Sequence, residues 1–319
     1  MRIKSVELIV FIMILASSCK SNSNQNKIIK IDTLQCFEND NTQFTIPIDI
    51  DVENENIYIT DLGTSQINVY NMNMDLKNTI GREGKGPLEF NCITSITFSN
   101  DGLFFLVSDI GNQRIQKISN EGLLIEMYHY SSPFLSVDIK NNIYCISQSQ
   151  TETILDVYDS DFNLISTMIP KINATPFLKY YALNVPYICT TEENIIVGFP
   201  YREQGILYKY SLDGSLQKEI YHTKSFKLNL PIYNYVTGNI QDPIFSAIKT
   251  YSEKLFVLYN MNQGIEMRSG NYIEIFELSG DFIGEIYLDH YISTFCFDKN
   301  GFMYGVGDDV VYKYEVLFE

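Results

Sequence analysis

The chain has 319 residues, enough for one large domain or two modest ones. With 45% hydrophobic and 19% charged residues it can bury a sizeable core, which excludes wholesale disorder. The net charge of −16 argues against nucleic acid as a partner, because that role needs basic surface to neutralise phosphates, and an anionic membrane surface suits the folded body equally poorly.

The first element in chain order is an export signal. Met1-Arg2-Ile3-Lys4 is basic, Leu8 to Ala16 is mostly apolar, and Ser17-Ser18-Cys19 supplies small residues before a cut. The apolar run is short for a membrane span. The Ala16-Ser17-Ser18-Cys19 ending resembles a bacterial lipobox, although Ala16 stands where Leu is usual and Leu15 lies one place earlier. The expected organisation is a signal peptide over 1–18, a lipidated Cys19 with a polar, flexible tether over 19–27, and a folded domain over 28–319. The cell envelope is the expected location. The tether carries no acidic run, which points to a periplasm-facing anchor as the only membrane attachment.

Strand-like Ile28 to Leu34 comes next, and then a repeat begins. A polar turn precedes a short apolar strand six times, with strands starting at residues 57, 103, 143, 195, 255 and 302. The spacings of 46, 40, 52, 60 and 47 match one propeller blade each. A second turn, rich in Asp, Asn and Gly, follows in the first five units near residues 71–75, 119–122, 159–161, 211–214 and 278–281. The sixth unit lacks it. Four strands per unit, with the unclaimed 28–34 segment placed beside the last strand, complete an all-β, six-bladed propeller of antiparallel four-stranded blades. The expected state is a monomer. Cys36, Cys92, Cys145, Cys189 and Cys296 form no C-x-x-C pair and read as scattered free thiols among apolar strand residues.

The second unit carries a distinctive motif. Gly81-Arg82-Glu83-Gly84-Lys85-Gly86-Pro87-Leu88-Glu89-Phe90 is followed by Asn100-Asp101-Gly102, and then by Asp109, Asn112, Arg114, Ile115 and Gln116. This resembles an NHL repeat, and together with the signal it is similar to the NHL-like and TolB-like six-bladed propeller lipoproteins of Gram-negative bacteria. Unit one holds a partial copy in Tyr58 to Asp61 and Ile67 to Tyr70. The resemblance implies the fold strongly and the function weakly, since propellers host many activities.

No metal-ligand spacing, nucleophile elbow or phosphate loop is present. His129, His222 and His290 fall in different units. The residues therefore favour a binding or scaffold role over catalysis, with no cofactor. The alternative is a metal-dependent propeller lyase or hydrolase with a site near the central channel. In a propeller, connections from second to third and from fourth to next first strand share one face, and here they include every long one. They hold Tyr180, Tyr181, Tyr233 and Tyr235, and all four arginines of the mature chain, Arg82, Arg114, Arg202 and Arg268. That face is the expected ligand surface, for a protein, a glycan or a small anionic ligand gripped by guanidinium groups.

Overall fold

The computed structural model describes residues 29–37, 44–147, 152–171, 184–200, 206–223, 245–260, 270–307 and 310–318. The expected signal peptide, Cys19 and tether lie outside the described residues. Turn chemistry builds the hairpins. Asn54-Glu55 and Ser252-Glu253 each place two successive residues at positive φ, the conformation of a two-residue hairpin loop whose twist matches the strands. Elsewhere an Asp closes the turn with its own side chain. Asp138 Oδ1 accepts the amides of Lys140 and Asn142, and Asp298 Oδ1 those of Asn300 and Phe302. Asp159 does the same for Asp161 and Asn163.

These hairpins assemble six four-stranded antiparallel sheets, each a blade. From the axis outward, blade 1 runs through Pro47–Glu53, Asn56–Asp61, Gln66–Asn71 and Leu76–Ile80. Blade 2 comprises Ile93–Phe98, Phe104–Asp109, Arg114–Ser119 and Leu124–Tyr128. Blade 3 comprises Leu135–Val137, Ile143–Ile146, Thr153–Tyr158 and Leu164–Pro170. Blade 4 comprises Tyr187–Thr190, Asn194–Gly198, Leu207–Ser211 and Leu216–Ile220. Blade 5 comprises Phe245–Tyr251, Lys254–Tyr259, Gly270–Glu277 and Phe282–Ile292. Blade 6 takes Thr294–Phe297, Phe302–Val306 and Val311–Phe318 from the C-terminal end, and Ile29–Phe37 from the N-terminal end as its outer strand. That strand pairs antiparallel with Val311–Phe318 from Ile29↔Phe318 to Phe37↔Val311. The N-terminal segment expected to close the ring does so, three residues further at its C-terminal end than the pattern of apolar residues suggests.

Burial explains why the ring holds. The second strands, such as Phe104–Asp109, are buried throughout because both faces of each blade are covered by neighbours. Outer strands such as Leu216–Ile220 are largely exposed. Six apolar clusters fill the six interfaces between adjacent blades. The one between blades 6 and 1 joins Cys296, Tyr304 and Val306 to Ile50, Ile57 and Ile59, so the seam is packed like the rest. At about 1.5–3 kcal/mol for each large side chain buried, every interface contributes substantially, and none can be lost alone.

Candidate functional site

The strand bounds place every long connection on one rim. Residues 81–92, 171–186, 221–244 and 260–269 all join strand ends on that side, whereas the opposite rim has only turns of two to five residues. Arg202, Arg268, Tyr180, Tyr181, Tyr233 and Tyr235 lie in long-rim connections and outside the described residues.

Arg82 and Arg114 are described, and they differ sharply. Arg114 opens the third strand of blade 2 and is buried. Its Nε donates to Asp109 Oδ2 at 3.1 Å, Nη1 to the Lys85 carbonyl at 2.7 Å, and Nη2 to the carbonyls of Gly86 and Glu89 at 2.9 and 2.5 Å. Gln116 Nε2 donates to Glu89 O at 2.9 Å and its Oε1 accepts Leu88 N at 2.9 Å. Asn112 bridges Gly84 O and Asp109 Oδ2, while Asp109 Oδ1 accepts the amides of Asn91 and Cys92. Asp109, Asn112, Arg114 and Gln116 thus fasten the crossing from blade 1 to blade 2. Two glycines let that crossing turn. Gly81 has φ of +92° and a Cβ there would meet the Phe90 ring at 2.3 Å; Gly84 has φ of +154° and would meet Glu89. The side chain of Arg82 is 77% exposed and donates to Glu89 Oε1 at 2.7 Å. The Gly86 amide and Arg82 hold the Glu89 carboxyl below its usual range. Of the two described arginines, then, Arg82 presents a guanidinium to the rim and Arg114 builds the loop that carries it.

Blade 1 repeats the device more simply. Asp61 ends its second strand and accepts the amides of Thr45, Ile46 and Gly63. At the base of the 221–244 connection, buried Glu274 accepts Thr223 N at 3.0 Å, and the single Tyr272 hydroxyl proton lies between Glu285 at 2.7 Å and Glu274 at 3.0 Å.

The channel holds charged groups that sequence patterning alone leaves unassigned. The inner strands are laced by polar side chains. Asp49 Oδ2 accepts Ile96 N of blade 2 at 3.1 Å, Ser95 Oγ accepts Leu135 N of blade 3, and Ser136 Oγ meets Thr190 Oγ1 of blade 4 at 2.9 Å. Lys249, on the inner strand of blade 5, reaches Asp49 Oδ1 of blade 1 at 3.4 Å. Blade 6 lies between those strands, so this pair crosses the face of the closing blade on its axial side. Asp51 stands two residues on. Burial pushes its carboxyl up to about 6, Lys249 pulls against that shift, and Asp49 adds like-charge repulsion. Burial works against the Lys249 ammonium, but Asp49 and Asp51 outweigh it and keep that group charged well above its ordinary range. Two carboxylates alternating in an otherwise apolar inner strand, Ile48-Asp49-Ile50-Asp51-Val52, are the signal that could have drawn attention to the axis.

The histidines do not converge there. His129 and His222 follow the outer strands of blades 2 and 4, and His290 lies in the outer strand of blade 5, stacked on Tyr312 with ring centroids 4.2 Å apart. Among the described residues Cys92, Cys145, Cys189 and Cys296 are free thiols, and burial pushes Cys189 up to about 12.

Solved structures share this architecture. The chain is similar to a Bacteroides fragilis protein named as exported, with a TM-score of 0.65 over 94% of this chain and 98% of that one at 14% identity. It is also similar to virginiamycin B lyase of Staphylococcus aureus, with a TM-score of 0.54 over 91% of this chain and 100% of that one, again at 14% identity. At such identities the likeness is one of fold: a six-bladed β-propeller. No family model matches the chain, and no curated protein matches it either.

Proposed function

We propose that this chain is an exported, lipid-anchored binding propeller of the NHL-like lipoprotein type, and that it engages a protein, glycan or small ligand bearing an anionic group at its long-connection rim. The observation that carries this reading is the placement of every long connection on one rim of a closed ring. A rigid frame that presents variable loops at one end is how propellers and other scaffolds position recognition residues. The sequence of those connections includes Arg202 and Arg268, which offer guanidinium chemistry, and Tyr180, Tyr181, Tyr233 and Tyr235, which offer amphipathic aromatic chemistry. Guanidinium grips carboxylate or phosphate bidentately, and aromatics supply contact area at low entropic cost. Arg82 adds an exposed guanidinium on the same rim, and Arg114 acts by holding the crossing that carries it.

The test is binding of the mature chain to an immobilised panel of acidic peptides and of carboxylated and sulfated oligosaccharides, repeated with the double variant Arg202→Ala, Arg268→Ala. The expected result is a bound member whose affinity falls at least tenfold in the variant while its melting temperature is unchanged. No bound member, or equal affinity in both proteins, would overturn the reading.

A further inference from the structure

The strand that closes the ring also fixes how the protein would stand on a membrane. Phe302 follows a short turn, so the second strand of blade 6 climbs from the short-turn rim to Val306. Val311 pairs with Val306 and its strand descends to Phe318. Ile29 pairs with Phe318, and Phe37 with Val311. The N-terminal chain therefore enters the propeller at the short-turn rim, opposite the long connections. From Cys19 to Ile29 the chain has ten Cα steps, a maximum reach of about 35 Å.

That rim is strongly acidic. Its eleven turns between strands contain thirteen carboxylates and two lysines, a net of −11, whereas all connections of the other rim together hold ten carboxylates against eight Lys and Arg, a net of −2. Several of these carboxyls are held below their usual range by neighbouring hydrogen bonds, from Asn163 to Asp159, from Ser211 to Asp213 and from Ser279 to Asp281, so they stay charged across the physiological range. An anionic headgroup layer attracts basic segments near its surface and repels acidic ones, within a Debye length of about 8 Å at 0.15 M salt.

We infer that the acidic short-turn rim faces the membrane and is held off it by like charge at the end of the tether, so that the long-connection rim points into the aqueous space and takes a partner from there rather than from lipid headgroups. This orientation rests on the lipid-anchor reading of Cys19, and the experiment separates the two. A donor dye is attached through an encoded azide at Ser279 on the short-turn rim or at Lys85 on the other, both exposed. Energy transfer to acceptor-labelled lipid is then measured in vesicles of phosphatidylethanolamine and phosphatidylglycerol. One arm uses the full chain purified from membranes. The other uses the chain from residue 20 with hexahistidine in place of Cys19, held on nickel-chelating lipid. Six-residue strands at about 3.3 Å each set the rims about 20 Å apart. The expected result is transfer from Ser279 several-fold above that from Lys85 in both arms, with the Ser279 signal rising in high salt on anionic vesicles only. Equal transfer from the two sites, or the reverse order, in the hexahistidine arm overturns the orientation. A salt-insensitive signal overturns the role of charge. An unlipidated full chain overturns the anchor reading, while the hexahistidine arm still decides the orientation.

Discussion

Replacing Asp51 by Asn should make the protein more stable at neutral pH and leave it unchanged in acid. Asp51 has a carboxyl pushed up by burial to about 6 from an ordinary 3.8, despite the help of Lys249. The folded chain therefore holds this proton more tightly than the unfolded chain does. The associated stability is fully present below about 3.8 and is lost as pH rises through about 6. At about 1.4 kcal/mol per pH unit, ionised Asp51 costs the fold up to about 3 kcal/mol at pH 8, and water reaching the channel reduces that to about 1–2 kcal/mol. Asn keeps the shape, and its Oδ1 can still accept the Val52 amide that Asp51 Oδ1 accepts at 2.9 Å. The charge is removed, while Lys249 retains Asp49. Urea unfolding at pH 4, 6 and 8 in physiological salt, followed by tyrosine fluorescence in a chain with 23 Tyr and no Trp, gives the two stability curves. They should converge near pH 4 and separate by about 1–2 kcal/mol at pH 8, with the variant the more stable. Parallel curves, or a variant less stable at pH 8, would refute the placement of an ionised, poorly compensated carboxylate at the axis.

Asp49→Asn should have the opposite sign, losing about 1–3 kcal/mol at pH 8 in the same assay, because Asp49 fastens Ile96 N of blade 2 and is the direct partner of Lys249. Arg114→Ala should cost about 3–5 kcal/mol in urea unfolding, since it strips a buried charge from Asp109 and three carbonyls, whereas Arg82→Ala, removing a largely exposed partner, should stay within about 0.5 kcal/mol. Deleting residues 29–37 should leave Val311–Phe318 as a bare edge and lower the melting temperature of the whole ring in one transition; an unchanged melting curve would contradict the closure.

The fold was legible in the sequence because its information is local. Each hairpin is set by a few residues, such as Asn54-Glu55 or Asp213-Gly214, whose backbone and side-chain preferences act over a single turn. Counting those turns, with the second kind missing from the last unit, was enough to assign the segment Ile28 to Leu34 to the seam. The C-terminal end of that strand was less legible, because pairing with Lys313, Tyr312 and Val311 extends it to Phe37 and residues so far apart in sequence leave no mark on one another. The candidate sites divide in the same way. Asp61 and Asp109 act on backbone amides 15 to 18 residues upstream and sit in a recognisable motif. What Arg114 does depends on where the carbonyls of Lys85, Gly86 and Glu89 pass, 25 to 29 residues away along a crossing, so its sequence position suited a rim ligand and a buried clamp equally well. Asp49 and Lys249 are 200 residues apart, and only ring closure brings them together.

The charge asymmetry between the rims follows from that local information. A short hairpin in a six-bladed ring needs a residue that tolerates tight geometry and supplies a hydrogen-bond acceptor, and Asp meets both needs. Repeating such hairpins on one rim accumulates negative charge there as a consequence of folding, before any selection for a surface property. The long connections face no such demand. They are free to hold Arg, Lys and Tyr, and in this chain they do. A closed propeller whose terminal strand starts at the turn rim therefore brings the chain that precedes Ile29 to its most acidic end through topology alone. Reversing the polarity of the closing strand would require a parallel pairing with Val311–Phe318, which the antiparallel register of blade 6 excludes. The direction in which the long connections face is thus tied to the same hydrogen bonds that close the ring.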